Sequence, residues 1–467
     1  MRIGLDFGTT NSGAAAFDGH QVRLFPLDPS SRDPKVMRST LYVMRDQQVF
    51  IGQEALDTYY RQNIGRPSQM AHQYVGEIEI TMGVVESVKG YPGGPSTFVR
   101  DVYVLVDELT PGRMLRSLKS GLATSYEGTT IFDHYYTLEE LLALYLREVR
   151  ERVETETGQP VDSATLGRPV NFVGSSGEAG NRRAEERLRR AAEMAGLRNV
   201  TFELEPVAAA LHYELLTGKP QNVVVFDFGG GTLDITVMRI GEPGRRQVFA
   251  TGGVGIAGDT FDQRIIAGLL LEHFGRGSTW GEDGAPFPSQ YTDALVHWQT
   301  LPELSRPETL RFLDLAEKTS SHPEQIRAFK SLLVNNYAAR LMDDVERAKI
   351  ALSSAQFAAI QLTGEDLDIW QPVTRSQFEA LIADATRRIE ACLTDTLERS
   401  GLRTEEIDAV VRTGGSSQIP YFIEMLGRLF GPEKVVLSDV FSSVTAGLAI
   451  RAYAEQSLSV AESSPVW

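Results

Sequence analysis

Two segments in separate halves of the chain repeat one pattern, in which a short apolar run is followed by an Asp-Phe-Gly turn and an alternating run. The first comprises residues 3–17 and has the turn Asp6-Phe7-Gly8. The second comprises residues 223–238 and has the turn Asp227-Phe228-Gly229. Each pattern is typical of a strand–turn–strand hairpin. The repeat predicts a duplicated α/β unit with one phosphate-binding loop in each lobe.

The turns of both hairpins are rich in glycine and threonine. A turn of this kind directly after a strand can point several backbone N–H groups at one place, and such a concavity binds phosphate oxygens. An ordinary hairpin turn would be the simpler interpretation of one copy, but two copies favour a phosphate-bearing ligand. The turn residues predicted to hold it are Gly8, Thr9, Thr10, Asn11, Gly229, Gly230, Gly231 and Thr232.

Three aspartates stand beside these turns. Asp6 and Asp227 end the first strand of each hairpin, and Asp234 follows the second turn. Carboxylates and a bound polyphosphate repel each other unless a cation lies between them. Mg²⁺ prefers oxygen ligands and retains several waters, to which the carboxylates can hydrogen-bond. The alternative for Asp6 or Asp227 is that it only caps its turn. We expect Mg²⁺ at this place, held largely through water.

Other nucleotide motifs are absent or weak. The sequence has no G-x-x-x-x-G-K-[ST] loop, and no His-Arg-Asp or Val-Ala-Ile-Lys motif accompanies the Asp-Phe-Gly turns, which argues against P-loop enzymes and protein kinases. Residues 253–258 match the dinucleotide pattern G-x-G-x-x-G. We interpret them as a further glycine turn, ending at Gly258, that gives backbone access to the same nucleotide.

The length of 467 residues suits about three domain-sized units. We expect lobe I over residues 1–220 with an inserted subdomain at about 33–131. Lobe II is expected over residues 221–436, with a mostly helical insertion at about 259–382. A helix over residues 437–456 is expected to return to lobe I, and residues 457–467 are expected to form a loose tail.

Charge and cysteine content limit the partners and the compartment. Acidic residues outnumber lysine and arginine by 62 to 46, and the net charge is -16, so neither nucleic acid nor a membrane is an expected partner. The one cysteine, Cys392, excludes an intrachain disulfide and suits the cytoplasm. No apolar run approaches the roughly 18 residues of a membrane span. Neither export nor membrane insertion is predicted.

Five motifs together resemble the ATPase portion of the heat-shock protein 70 family, within the actin and hexokinase superfamily. They lie at residues 4–12, 205–210, 225–234, 345–349 and 411–420, in the family's order. The resemblance implies an α/β, actin/hexokinase-like two-lobed ATPase fold of duplicated ribonuclease-H-like units with inserted subdomains. It also implies ATP or ADP and Mg²⁺ as ligands.

The resemblance assigns roles to single residues. The aspartates Asp6, Asp227 and Asp234 would position Mg²⁺ and its waters. Lys119, in the best local match to the family's catalytic lysine, and Glu205 would orient the attacking water. The β- and γ-phosphates would be held by Thr9, Thr10, Gly230, Gly231 and Thr232, and the catalytic set would be Lys119, Glu205, Asp6, Asp227 and Thr232. The nucleoside would be contacted by Glu346, Lys349, Ile350, Ser353, Gly414, Gly415, Ser416 and Gln418.

The chain departs from the family's pattern at two places in the nucleoside pocket and at its end. The family brackets adenine between two arginines, and this chain has Ile350 and Gln418 where they are expected. Because the stacking cations are missing, we expect altered affinity or base preference. The sequence stops soon after the last predicted helix, so we also expect the family's linker and peptide-binding domain to be missing.

The leading hypothesis is a cytoplasmic, slowly ATP-hydrolysing, chaperone-like protein that cycles between open and closed lobes. Co-chaperone or client proteins would be its partners. The first alternative is a nucleotide sensor or scaffold without turnover. A second is a small-molecule kinase of the same superfamily, with an acceptor site formed by the two insertions, and a filament-forming role is a more distant third.

Overall fold

The computed structural model describes residues 1–82, 96–241, 246–297, 304–439 and 442–463. The strands of the first half are β1 (Arg2–Phe7), β2 (Asn11–Phe17), β3 (Val22–Leu24), β4 (Met37–Arg38), β5 (Thr40–Met44), β6 (Val49–Ile51), β7 (Met70–Met82), β8 (Ser96–Asp107), β9 (Gly112–Arg116), β10 (Gly128–Ile131), β11 (His134–Thr137), β12 (Ser163–Arg168) and β13 (Asn199–Leu204). Those of the second half are β14 (Gln221–Phe228), β15 (Leu233–Ile240), β16 (Gln247–Val254), β17 (Thr279–Trp280), β18 (Ala285–Pro286), β19 (Phe357–Gly364), β20 (Leu367–Thr374), β21 (Ala409–Thr413) and β22 (Val435–Leu437).

Thirteen helices of the described residues lie between or after these strands. In chain order they are α1 (Gln53–Asn63), α2 (Leu138–Thr157), α3 (Glu178–Met194), α4 (Glu205–Thr217), α5 (Gly258–Ile265), α6 (Ser289–Asp293), α7 (Pro307–Thr319), α8 (Pro323–Val334), α9 (Ala338–Leu352), α10 (Arg375–Leu381), α11 (Ala383–Ser400), α12 (Pro420–Phe430) and α13 (Ser443–Ser463). No helix in the described part of the chain is both long and apolar enough to cross a membrane.

Two mixed sheets repeat the same central arrangement. In the first sheet, of order β13-β12-β1-β2-β3 with β4 also on β2, strand β1 pairs antiparallel with β2 and parallel with β12. In the second, of order β16-β15-β14-β21-β22, strand β14 pairs antiparallel with β15 and parallel with β21. Both predicted hairpins are therefore confirmed. We call the parts built on the two sheets lobe I and lobe II.

Each lobe has its own hydrophobic core. Apolar residues of β1 such as Ile3 and Leu5 pack with the buried faces of α2 and α3 in lobe I. In lobe II, Phe226 and Phe228 of β14 pack against Phe422 of α12, with ring centroids 6.3 and 4.9 Å apart. The hairpin turns at the ends of β1 and β14 are thus anchored by buried strands.

Each lobe carries an insertion. In lobe I, β5, β6 and β9 form a three-stranded sheet, and β7 and β8 form a long hairpin. In lobe II, helices α6 to α9 and the β19–β20 hairpin follow α5. The first insertion is therefore rich in strands and the second is mostly helical.

The last helix, α13, packs against lobe I. It contacts α4, β1 and β2, and Arg2 of β1 bonds Glu455 of α13 at 2.5 Å. Residues 435–437 form β22 and the helix runs from Ser443 to Ser463, whereas the expected range was 437–456. Between Gly447 and Pro465 no glycine or proline interrupts the chain. Residues 464–467 of the predicted tail lie outside the described residues.

Candidate functional site

The two hairpin turns meet face to face between the lobes. A Cβ atom added to Gly230 would lie 2.4 Å from Oγ1 of Thr10, and one added to Gly231 would lie 2.9 Å from Oγ1 of Thr9. Real Cβ atoms do not approach other atoms this closely, so a larger residue at either position would force the threonine to move. The sequence-predicted phosphate turns of the two lobes are therefore brought into contact.

The predicted glycine turn and the predicted nucleoside loop also converge on the second hairpin. The backbone N–H of Asp259 donates to the carbonyl of Gly230 at 2.9 Å, and that of Gly258 to the carbonyl of Gly229 at 3.3 Å. The hydroxyl of Ser416 donates to the same Gly229 carbonyl at 2.6 Å. Three segments that are far apart in sequence thus form one site.

Several glycines in these segments expose backbone where a side chain would otherwise lie. A Cβ atom on Gly229, Gly255 or Gly415 would meet nothing within 4 Å. Gly414 has φ +78°, and its Cβ would lie 2.4 Å from the carbonyl oxygen of Phe228. The loop after β21 therefore requires glycine to pass β14 so closely. The open space beside Gly229, Gly255 and Gly415 leaves room for a ligand close to the backbone.

The three predicted aspartates form an acidic cluster at the ends of the hairpin strands. Asp227 and Asp234 stand opposite each other in the β14–β15 register. The carboxylate of Asp234 accepts hydrogen bonds from the Val170 backbone N–H and the Thr232 hydroxyl, both at 2.8 Å. Burial, reinforced by the charge of Glu205, raises the pKa of Asp6 and of Asp234 to about 7. Burial and the same neighbour raise the pKa of Asp227 well above its ordinary value.

This donor set fits a hydrated divalent cation. Oxygen ligands and closely spaced negative charge are what Mg²⁺ prefers, and a cation would relieve the repulsion that raises these pKa values. Among the described residues, no three His, Cys, Asp or Glu side chains are grouped closely enough to hold a metal by themselves. The predicted role through water, with phosphate completing the coordination, is consistent with this spacing.

A buried ion pair lies next to the aspartates. Lys119 is on a short 3₁₀ turn, Leu118–Gly121, and its Nζ lies 2.5 Å from Oε1 of Glu205. Burial alone would lower the pKa of Lys119, but Glu205 and Asp6 outweigh it and raise the pKa. Lys119 is therefore charged. The two residues that the family resemblance assigned to the attacking water are thus brought together.

Glu205 owes its position to α4, of which it is the first residue. Pro206 occupies the first turn, where its missing N–H costs no hydrogen bond, and Gly218 ends the helix with φ 61°. Gly447 of α13 allows this helix to approach α4 closely, since a Cβ there would lie 1.7 Å from the carbonyl oxygen of Ala208. Packing of α13 therefore supports α4, the helix that begins at Glu205.

Helix α9 carries the residues predicted to meet the nucleoside, and two of them are in ion pairs. Nζ of Lys349 lies 2.6 Å from Oδ2 of Asp262 and donates to the carbonyl of Gly258 at 3.0 Å. Nη1 of Arg38, from lobe I, lies 3.3 Å from Oε1 of Glu346. Ser353 follows α9 directly, with its N–H bonded to the carbonyl of Ile350 at 3.0 Å. Ile350 itself is 57% exposed.

Sequence reasoning missed Asp262 and Arg38. Asp262 lies four residues after Gly258 in α5, so its place one turn into the helix after the glycine motif could have identified it. Burial raises its pKa to about 7 in spite of Lys349. Arg38 lies on the two-residue strand β4, and no motif or periodicity marks it.

The site opens into a cavity of about 1500 Å³ between the lobes. Thr9, Thr10 and Gly231 line one end of it. From there the cavity extends between the two insertions, where Tyr59 of α1 and Met342 of α9 belong to opposite walls. The phosphate turns are therefore accessible from a chamber that both insertions help to form.

Comparison with known proteins agrees with this geometry. A family model described as Hsp70 protein matches residues 118–280 and 328–461, which together make up more than half of the chain. The chain belongs to the Hsp70 family. The family has the actin-like two-lobed ATPase fold that the resemblance implied for this chain, and its members in general bind ATP or ADP with Mg²⁺.

Among its relatives, this Hsp70 protein is similar to the chaperone protein DnaK of Thermotoga petrophila, Thermotoga neapolitana and Thermotoga maritima. Each is 28% identical to it over 392 residues, which cover 80% of this chain and 55% of the relative. The chain thus spans about half the length of the curated relatives that it matches.

Proposed function

We propose that this Hsp70-family chain binds ATP with Mg²⁺ between its lobes, hydrolyses it slowly and acts as a chaperone-like protein in the cytoplasm. The observation that carries the proposal is the contact between the two glycine-rich turns, with Lys119, Glu205 and the three aspartates beside it. Lobe I, residues 1–220, and lobe II, residues 221–436, would close on the nucleotide.

In this proposal the triphosphate lies at the turns and the nucleoside lies toward α9. Backbone N–H groups and the hydroxyls of Thr9 and Thr10 bind the phosphates, and the hydroxyl of Thr232 joins them by exchanging Asp234 for a phosphate oxygen. Gly258 and Ser416 hold the second turn in place. Glu346, Lys349 and Ser353 contact the ribose and base from one side. The loop formed by Gly414, Gly415, Ser416 and Gln418 closes the other side.

Hydrolysis of ATP requires that the protein stabilise charge on the phosphates and position the attacking water. It requires little covalent chemistry from the protein itself. When Mg²⁺ is bound, it neutralises charge that develops on the phosphate oxygens. Asp6, Asp227 and Asp234 hold the waters around it. Lys119 places a positive charge near the γ-phosphate, and the carboxylate of Glu205 accepts a hydrogen bond from the attacking water.

Two contacts between the insertions of lobe I and lobe II support closure of the lobes. Nη1 of Arg116 lies 2.9 Å from Oδ1 of Asp343, which belongs to α9. The backbone N–H of Ser68 donates to the carbonyl of Val334 at 2.8 Å. These contacts join the two insertions, so they would form when the lobes close on the nucleotide and break when the lobes open. Nucleotide binding would thereby change the surface that a co-chaperone or client protein contacts.

Calorimetric titration with ATP and Mg²⁺, followed by a phosphate-release assay on the same preparation, tests the proposal. Binding with slow release of phosphate supports it. Binding without any release over several hours supports a nucleotide sensor or scaffold instead. If ATP does not bind, both are wrong.

The cavity favours one further candidate, a small-molecule kinase. It extends from the phosphate turns into a chamber between the two insertions, where an acceptor hydroxyl could approach the γ-phosphate. Incubation with γ-labelled ATP and a panel of small polyols tests this candidate. Label recovered on a polyol would favour it, whereas label recovered only as phosphate favours the ATPase.

A further inference from the structure

Arg38 lies beside the first phosphate turn. Its strand, β4, pairs with β2 so that Arg38 stands opposite Asn11. The next residue, Ser39, donates its backbone N–H to the carbonyl of Thr10 at 2.9 Å and its hydroxyl to the carbonyl of Gly8 at 2.7 Å. The backbone at Arg38 is therefore fixed to the turn itself.

The side chain of Arg38 crosses from lobe I to α9 of lobe II. Its Nη1 lies 3.3 and 3.5 Å from the two carboxylate oxygens of Glu346. It also lines the cavity together with Thr9 and Thr10, and 33% of the side chain is exposed. The guanidinium thus lies between the residues proposed to bind phosphate and those proposed to bind the nucleoside.

Three other cations at the cleft are held more tightly than Arg38. Lys119 is 2.5 Å from Glu205, Lys349 is 2.6 Å from Asp262, and Arg116 is 2.9 Å from Asp343. Charge-assisted hydrogen bonds are typically about 2.7–2.9 Å long, so a contact of 3.3 Å is loose. Of these four cations, Arg38 can exchange its present partner for a phosphate at the lowest cost.

The base end of the site offers little to recognise adenine. Ile350 is apolar and more than half exposed, and Gln418 is an uncharged amide on the 3₁₀ turn after β21. Neither can stack a guanidinium on a purine. Binding free energy must therefore come mainly from the phosphates and the ribose.

We propose that Arg38 binds the phosphates of a nucleoside triphosphate, and that this site recognises the ribose triphosphate rather than the base. The proposal rests on the proposed nucleotide binding. A guanidinium can bind phosphate oxygens through two parallel hydrogen bonds, which its loose contact with Glu346 does not match. When Arg38 turns to phosphate, Glu346 is released to accept hydrogen bonds from the ribose hydroxyls.

Equilibrium titrations with ATP, GTP and AMP in Mg²⁺ test the proposal on the wild type, Arg38→Met and Arg38→Lys. We expect the wild type to bind ATP and GTP within about tenfold of each other. Arg38→Met should lower the affinities for ATP and GTP by the same factor, about 10- to 100-fold, and the affinity for AMP by less than about threefold. Arg38→Lys should lie in between, because lysine keeps the charge but not the two-pronged geometry.

Arg45→Met is the matched control, since it removes the same charge from the same wall of the cavity. Arg45 bonds the carbonyls of Glu108 and Thr110, and its guanidinium lies 4.4 Å from the centre of the Phe132 ring. We expect it to leave all three affinities unchanged. Thermal unfolding without nucleotide verifies that each variant is folded.

Three outcomes would overturn the proposal. If Arg38→Met lowered the affinities for AMP and ATP by the same factor, Arg38 would stabilise the structure of the site without binding the distal phosphates. Unchanged ATP affinity in that variant would mean that it binds no phosphate. A preference of more than about 100-fold for ATP over GTP in the wild type would mean that the base is recognised. Failure of the wild type to bind any triphosphate would instead refute the proposed function itself.

Discussion

Nζ of Lys119 lies 2.5 Å from Oε1 of Glu205, and this pair joins the insertion of lobe I to the start of α4 across 86 residues of sequence. Both side chains are largely buried, with 6% and 13% exposed, and Asp6 is close enough to raise the pKa of Lys119. A buried charge pair of this kind is costly to form, and removal of either partner leaves an uncompensated buried charge. We interpret the pair as the device that holds a cation and a carboxylate ready for the water and the γ-phosphate.

Replacement of Lys119 by methionine should separate turnover from binding. We expect phosphate release to fall by about 100-fold or more, because the charge at the transition state is lost, while ATP affinity changes by less than about threefold. Glu205 would be left buried and unpaired, so the free energy of unfolding should fall by about 3 kcal/mol. The double variant Lys119→Met/Glu205→Gln should recover most of that stability without recovering turnover. Recovery of both would contradict a catalytic role.

The contact between the two turns can be tested by adding a methyl group. Gly230→Ala places a Cβ 2.4 Å from Oγ1 of Thr10, so we expect a loss of about 1–3 kcal/mol in the free energy of unfolding, measured by urea denaturation. Gly229→Ala is the control, because a Cβ there meets nothing within 4 Å. The double variant Gly230→Ala/Thr10→Ala should relieve the clash. Equal stability of the two single variants would show that the turns do not touch.

The raised carboxyl pKa values predict a specific pH dependence. Asp6 and Asp234 have pKa values of about 7 in the folded protein and 3.8 as free groups, so between these values the folded state binds protons that the unfolded state has lost. Without nucleotide and metal, this contribution to stability therefore decreases as pH rises from about 4 to 7, by at most about 1.4 kcal/mol per pH unit for each group.

Urea denaturation at pH 5.5 and pH 8.0 compares the wild type with Asp6→Asn/Asp234→Asn. The variant should lose less stability between the two pH values than the wild type does. Addition of Mg²⁺ and ATP to the wild type should stabilise it more at pH 8.0 than at pH 5.5, because a cation favours the ionised carboxylates. An identical pH dependence in both proteins would mean that these carboxyls titrate in their ordinary range.

The ion pair across the cleft predicts an effect on nucleotide release. Arg116→Met removes the 2.9 Å contact with Asp343, and we expect a fluorescent ATP analogue to dissociate about fivefold faster in stopped-flow measurements. Arg23→Met removes an exposed pair with Glu156 that lies within lobe I, 2.6 Å apart, and should leave the rate unchanged. If both variants accelerate release equally, net charge rather than closure sets the rate.

The hairpins could be predicted from sequence because everything that forms them is local. In each hairpin the apolar run, the turn and the second strand lie within fewer than twenty residues. Glycines occupy the positions where the two turns touch. The helix α13 continues beyond residue 456, where a loose tail was expected, and no helix-breaking residue occurs between Gly447 and Pro465.

The ion pairs of the cleft could not be predicted in the same way. Arg38 and Glu346 are 308 residues apart, and Lys349 and Asp262 are 87 residues apart. Such pairs depend on how the lobes and insertions are placed in space, about which local composition says nothing. Lys119 was identified only through the family resemblance, and its catalytic role stays a prediction.

Steady-state phosphate release from ATP and Mg²⁺, measured side by side for the wild type, Asp6→Ala and Thr232→Ala, tests the central claim most directly. Asp6 belongs to the acidic cluster, and Thr232 donates to Asp234 at 2.8 Å. We predict slow but measurable release by the wild type and at least about tenfold slower release by each variant. Equal release by all three proteins would contradict catalysis at this site.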